Sequence, residues 1–193
     1  QSRLNSPAKE TRELANKPTL FAQLAQPTQN FIALPSVSSE KRKYIPIDFL
    51  TPDIIVGNKL YVIENVELYH FGILMSNVHN AWIRTVAGRL ETRLNYSNTI
   101  VYNNFVYPTP TDKQKEKISK TAQNILEARK LYSNSSLADL YDELTMPPEL
   151  RKAHQENDKA VMEAYGFDWR KMTESDCVAE LMKMYQEKVN ELK

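Results

Sequence analysis

Two groups of polar side chains carry the chemistry that this sequence can offer. Lys41-Arg42-Lys43 is a basic triplet in a loop, and Arg84, Arg89 and Arg93 follow a long apolar stretch. The segment Gly88-Arg89-Leu90-Glu91-Thr92-Arg93-Leu94-Asn95-Tyr96-Ser97 alternates polar and apolar residues. In an extended chain successive side chains point to opposite faces, so Arg89, Glu91, Arg93 and Asn95 would share one. Arginine can read guanine through O6 and N7, glutamate accepts from cytosine N4, and asparagine can pair with adenine. Such a row could read base edges while Lys41, Arg42, Lys43 and Lys59 contact phosphates and set register. The alternative is an ordinary solvated strand with a Glu/Arg ion pair, and pattern alone favours that plainer reading.

Other chemistry is not visible. The three histidines are His70, His79 and His154. The nine-residue gap between the first two suits no helical metal pair, and no His-Glu-x-x-His motif occurs. His154 sits near Gln155 and Glu156 and reads as a surface or hydrogen-bonded residue. Cys177 lies beside an apolar helical stripe and reads as a small buried hydrophobe rather than a nucleophile. No Walker, dinucleotide or Gly-x-Ser-x-Gly motif is present. Met146-Pro147-Pro148-Glu149 lacks the amide and the aromatic of the Asn-Pro-Pro-Tyr loop of adenine methyltransferases, and a helix start explains both prolines. No catalytic residue and no metal site is assigned.

These groups need a scaffold, and the sequence divides it in two. The 193 residues carry 25 basic and 24 acidic side chains. Residues 1–110 have a net charge of +3 and residues 111–193 of −2, so the overall +1 conceals two halves of opposite sign. Pro108-Thr109-Pro110-Thr111 is a proline-punctuated joint, whose prolines push the preceding residues toward extended structure. One cysteine excludes a disulfide scaffold and suits a reducing cytoplasm, and four glycines argue against a Rossmann or P-loop domain. No apolar run reaches the ~18–20 residues of a membrane span, and no signal peptide is seen at the start. The first residue is Gln1, not methionine, so a longer parent chain is expected.

The fold class expected is α+β: a mixed α/β region followed by an all-α helical bundle. Residues 1–110 form the first region and 111–193 the second. Ser6 to Lys17 suggests a short serine-capped helix ended before Pro18. Asn30–Pro35, Lys43–Asp48, Ile54–Gly57, Lys59–Glu64 and Thr99–Phe105 read as strands, in an antiparallel or mixed sheet. Val66–Ala87 reads as one or two buried helices, interrupted at Ser76-Asn77. Asp112–Leu131 places Ile118, Ala122, Ile125, Leu126 and Arg129 at helical spacing. Ser136-Leu137-Ala138-Asp139 starts a short helix. Pro147-Pro148 starts another, which stops at Gly166. Thr173-x-x-Asp176 opens the last, with a stripe of Val178, Leu181, Met182, Tyr185, Val189 and Leu192.

Longer segments carry a resemblance. They are Ser38–Ile47, Tyr69-His70-Phe71-Gly72-Ile73-Leu74 with His79-x-Ala81-Trp82, Gly88-Arg89-Leu90, Tyr96-Ser97 and Ile100–Phe105. The second half adds Ser136–Asp142, Met146–Leu150, Lys152-Ala153-His154 and Ala164-Tyr165-Gly166. From about Arg12 to Tyr185 the chain resembles the carboxy-terminal part of MmeI-like (type IIG/IIL) restriction-modification enzymes. The resemblance implies the later part of a DNA target recognition domain, then a C-terminal helical domain. It implies that Glu91 and Arg93 fall on a pair that reads one base pair and Asn95 on a neighbouring reading position, where relatives often carry arginine. Asn58 and Lys59 fall on another reading pair. Lys41, Arg42, Lys43 and Arg89 are assigned to the DNA backbone, and His70 and His79 to structural hydrogen bonding.

The family's S-adenosylmethionine-binding, Asn-Pro-Pro-Tyr and nuclease motifs are absent here. The resemblance therefore implies a non-catalytic segment, without cofactor, of an adenine-N6 DNA methyltransferase. The parent is expected to use S-adenosylmethionine, and Mg2+ if it cleaves. Such enzymes flip the target base, whose amine is inaccessible in the duplex. The implied partners are double-stranded DNA and an upstream methyltransferase domain of the same chain; no membrane partner is expected, and the location is cytoplasmic. A protein-interaction or scaffold module with a helical docking surface is the alternative. A self-sufficient small enzyme would need a catalytic constellation that the sequence does not show.

Overall fold

The computed structural model describes residues 3–17 and 26–191. The first helix, α1, is Lys9–Leu14, and four strands follow: β1 (Phe31–Pro35), β2 (Val37–Ser38), β3 (Asp48–Leu50) and β4 (Leu60–Ile63). Two helices, α2 (Leu68–Leu74) and α3 (Asn77–Val86), precede the hairpin of β5 (Gly88–Leu90) and β6 (Arg93–Asn95). The rest is helical: α4 (Asp112–Lys130), α5 (Leu137–Leu140), α6 (Pro148–Tyr165) and α7 (Glu174–Glu191). This is the expected α+β region followed by helices. Pro18, the expected stop of the first helix, and Leu192, in the expected last stripe, lie outside the described residues.

The strands form two antiparallel sheets, ordered β3-β1-β4 and β2-β6-β5. One residue joins them. Ser36 donates its N–H to the Lys59 carbonyl (2.9 Å) and accepts from the Tyr96 N–H (2.8 Å). There the extended chain leaves the β4 side of one sheet and enters the β6 pairing of the other.

Three expected strands are corrected. Lys43–Asp48 is not a strand, because Pro46 lacks a donor and the neighbouring groups bond elsewhere. Ile45 donates to the Asn80 side chain (2.8 Å) and Ile47 to the Ile45 carbonyl (2.8 Å). Tyr44, Ile45 and Ile47 are nevertheless buried, so the apolar signal was a core signal. Ile54–Gly57 is an exposed turn region in which Ile54 and Ile55 face solvent. Thr99–Phe105 is mostly a π-helical turn, Asn98–Tyr102, capped by the Ser97 hydroxyl, which accepts from the Ile100 N–H (3.3 Å). The Trp82 indole N–H holds it to α3 through the Val101 carbonyl (3.0 Å). Strand propensity in Ile-Val-Tyr is a weak preference, and this capping and packing override it.

Local signals set the helical boundaries. Ser136 accepts from the Asp139 N–H and Asp139 reciprocates, and Thr111 with Gln114 does the same for α4. Pro148 is the first residue of α6, and Gly166 ends it at φ 77°, the left-handed conformation that glycine adopts without steric cost. Val66–Ala87 resolves into two helices because Ser76 caps the second, accepting from the His79 N–H (3.4 Å). In the α7 stripe Leu181 is buried and Val178, Tyr185 and Val189 are half-buried, while Met182 is exposed and is corrected; Cys177 is buried beside them.

The helical half shares its core with the first half. α4 packs on α6 and on α2, and α7 packs on α3, so one hydrophobic cluster runs through both halves. Gly72 permits the α2–α4–α6 approach. A Cβ there would lie 2.7 Å from Ile118 Cγ2 and 3.0 Å from the Asn157 side-chain oxygen. The buried Asn157 amide donates to the Gly72 carbonyl (2.7 Å) and accepts from the Thr121 hydroxyl (3.0 Å). Gly72→Ala is expected to lower the unfolding free energy by about 1–3 kcal/mol through overpacking, read as a lower urea midpoint.

Candidate nucleic-acid interface

The alternating row from Gly88 to Asn95 folds back on itself. Leu90 pairs with Arg93 and Arg89 with Leu94, leaving Glu91-Thr92 as a two-residue turn. Glu91 takes φ 58°, the positive value that such tight turns require and that glycine usually supplies. The expected common face is therefore corrected. Arg93 and Asn95 share a face with Leu90, Arg89 lies on the other opposite the buried Leu94, and Glu91 stands at the tip. Residues 88–93 and Asn95 are all exposed.

The hairpin tip presents an acid and a base side by side. Arg93 Nη2 donates to Glu91 Oε2 at 2.7 Å, with the two side chains 48% and 77% exposed. An ion pair this exposed contributes only about 0.2–1 kcal/mol, so an incoming ligand can open it at little cost.

The remaining candidates cluster around the hairpin to different degrees. Arg89 Nη1 reaches Glu40 at 3.3 Å, which ties the Glu40–Lys43 loop to β5. Lys41 is exposed beside it and makes no side-chain ion pair among the described residues. Asn58 and Lys59 are exposed at the start of β4, and the two Ser36 hydrogen bonds set them next to the Asn95 end of β6. Arg42 points away, its guanidinium 3.5 Å from the Ala138 carbonyl of α5. The Lys43 ammonium lies over the Tyr44 ring at 5.5 Å.

The histidines are structural. The Leu74 carbonyl can only accept, so His79 donates to it from Nδ1 (2.8 Å), and Nε2 meets the Tyr96 hydroxyl (3.2 Å). Complete burial pushes the His79 pKa down to about 4, so the ring is neutral. His70 Nδ1 accepts from the Glu67 N–H (3.0 Å). His154 is fully buried rather than on the surface.

A buried polar cluster in the core escaped sequence reasoning. Arg129 donates to Asp48 Oδ1 (3.0 Å), the Ile47 carbonyl (2.8 Å) and the Tyr141 hydroxyl (2.6 Å). That hydroxyl, already accepting from Arg129, is left to donate to His154 Nε2 (2.7 Å). The His154 ring stacks on Tyr44 at 4.1 Å, and the Tyr44 hydroxyl donates to Asp158 (2.6 Å). Burial holds the His154 pKa well below its ordinary value and raises that of Asp158 to about 6. An arginine in register with the α4 apolar stripe was the available signal, because a charge on a buried face must be partnered.

The comparisons with known proteins match both halves. Residues 1–109 match the family described as MmeI, target recognition domain, and residues 110–193 the family described as MmeI, C-terminal domain. The chain is similar to DNA methyltransferase A of Bacillus subtilis (strain 168), with 41% identity over 187 residues. That match covers 96% of this chain and 21% of the relative. It is also similar to the solved structure of the type IIL restriction-modification enzyme MmeI in complex with DNA, at TM-score 0.87 and 45% identity. This second match covers 97% of this chain and 25% of that one.

Proposed function

The chain belongs to the MmeI family, matching its target recognition and C-terminal domains, and on that premise we propose that residues 1–110 read a DNA sequence while residues 111–193 brace them. The observation that carries this reading is the exposed β5–β6 hairpin, with Glu91 and Arg93 side by side at its tip. Arg93 would donate to guanine O6 and N7, and Glu91 would accept from cytosine N4, so together they fit the two edges of one G·C pair. Asn95, on the Arg93 face, would read a neighbouring base, and Asn58 and Lys59 a further one. Lys41, Arg89 and Lys43 would meet phosphates. Arg42 has the weaker claim, because its guanidinium is directed at α5.

The chain spans 21% of the curated relative's length, so we place it within a longer polypeptide and propose that its partner is the upstream methyltransferase domain. The proposed activity of the longer polypeptide is adenine-N6 methylation of DNA. Residues 1–193 contain no glycine-rich loop or Asn-Pro-Pro-Tyr segment. The S-adenosylmethionine that donates the methyl group, and Mg2+ if DNA is cut, are accordingly assigned to upstream domains. No described helix is long and apolar enough to cross a membrane.

The test is electrostatic. Each phosphate contact contributes about one unit to the slope of log affinity against log salt. Lys41→Ala in the full-length protein is expected to weaken binding to all duplexes alike and to reduce that slope by roughly 0.9. Arg42→Ala should change the slope less. DNA binding with no salt dependence would overturn the reading in favour of a scaffold role.

A further inference from the structure

The first turn of α7 is connected to both parts of the candidate interface through a single arginine. Glu174 takes Arg84 in a two-pronged pair: Nε donates to Oε1 (2.6 Å) and Nη2 to Oε2 (2.8 Å). Such paired bonds fix the plane of the guanidinium as well as its position. Its third nitrogen, Nη1, donates to the Lys43 carbonyl at 3.1 Å, which holds the end of the basic loop. The Arg84 carbonyl in turn accepts from Arg89 Nη2 at 3.4 Å, and Arg89 Nη1 reaches Glu40 at 3.3 Å. Glu174 is not needed as a helix cap. That role falls to Thr173 and Asp176, whose carboxylate accepts from the Thr173 N–H (2.7 Å) and hydroxyl (2.7 Å).

We propose that Glu174 is a positioning residue for base reading: through Arg84 it sets the basic loop against the β5–β6 hairpin, so that the C-terminal helix governs how well the upstream half discriminates DNA sequences. This rests on the reading that the hairpin contacts base edges. The pair bridges 90 residues of chain, and Arg84 is only about a quarter exposed, so the contact is a fixed point of α3 rather than a mobile surface pair. Without Glu174 the guanidinium keeps only its bond to the Lys43 carbonyl and can rotate. The Lys43 loop then loses its fixed distance from the hairpin, whose Arg89 stays on the Arg84 main-chain carbonyl, and the phosphate contacts no longer hold one register. Backbone contacts would still form, but the reading side chains would meet the bases over a wider range of geometries.

The experiment measures binding of the full-length protein to its target duplex and to duplexes changed at one recognised base pair. Glu174→Ala is expected to lower the ratio of the two affinities by about three- to tenfold, within the range of coupling carried by connected side chains. Glu174→Gln keeps one acceptor for Arg84 and should fall between wild type and Glu174→Ala. Glu91→Ala serves as the control for reading, and Gly72→Ala as the control for stability. An unchanged ratio in Glu174→Ala, with a reduced one in Glu91→Ala, overturns the positioning role and leaves base reading intact. An unchanged ratio in both overturns base reading, and the positioning role with it. A loss in Glu174→Ala that Gly72→Ala reproduces at an equal drop in melting temperature also overturns it.

Discussion

Exchanging Glu91 and Arg93 together in the full-length protein is expected to change which base pair it accepts at one position, rather than to abolish DNA binding. In the free protein the two side chains neutralise each other at 2.7 Å, and both are largely solvated. On DNA that pair would open, and each group would find a complementary base edge. The arginine needs two acceptors, which guanine provides; the glutamate needs an amino donor, which cytosine provides. Swapping the two moves the donor and the acceptor to opposite strands and would invert the preferred pair. Truncating either one alone should cost about 1–3 kcal/mol of discrimination, roughly five- to 150-fold. The backbone tolerates the exchange, since Glu91 already occupies a left-handed turn position and arginine carries no β-branch to oppose it. The measurement is the sequence that the exchanged protein selects from a pool randomised at one base pair. Selection of the original sequence would remove Glu91 and Arg93 from the reading set.

Arg129→Ala is expected to lower the unfolding free energy by about 3–5 kcal/mol, the cost of removing one partner from a buried charged cluster. Its guanidinium is 7% exposed and holds Asp48, the Ile47 carbonyl and the Tyr141 hydroxyl at once. Removal leaves Asp48 without its counter-charge and the Ile47 carbonyl without this donor. It also strips Tyr141 of the donors that orient it toward His154. The effect reaches the sheets, because Asp48 begins β3 and pairs with Ala33 of β1. Arg129→Ala and Tyr141→Phe should be strongly non-additive, because both act on one network. The check is a denaturant titration of both single variants and the double. A loss in Arg129→Ala below about 1 kcal/mol would show that water replaces the guanidinium and that the cluster contributes little.

The proposed interface is partly legible in the sequence. Residue types mark Lys41, Glu91, Arg93 and Asn95 as polar candidates in a β-rich region, and the family resemblance, not the pattern, suggests that Glu91, Arg93 and Asn95 read bases. Their arrangement was not found. The Glu91-Thr92 turn carries none of the glycine or asparagine that normally announces a two-residue hairpin, so alternation read as one continuous strand. Arg84 and Glu174 were not connected, since nothing within a few residues of either distinguishes their pairing from that of any other surface charge.

What the sequence determined by itself is what depends on contacts within one turn of chain. Ser136 with Asp139, Gly166, and Thr111 with Gln114 each start or stop a helix through bonds no more than four residues long, and Pro148 starts one through its fixed φ and missing N–H. Residue pattern also marked the change from a mixed to a helical half near Pro110, and the longer matched segments identified the family. Only the tertiary structure decided which apolar segments pair as strands. Phe31–Pro35 does so, while the segment before β3 bonds to the side chains of Asn80, Arg84 and Arg129 and to itself. It alone showed that the hydrophobic core of the helical half is continuous with that of the first half, through α4 on α2 and α7 on α3. The Arg129–Asp48 pair, the Asn157–Gly72 contact and the Glu174–Arg84 pair span roughly 80 to 90 residues. Bonds of that span have no periodicity to read, because their partners are selected by packing geometry after the helices and strands have formed.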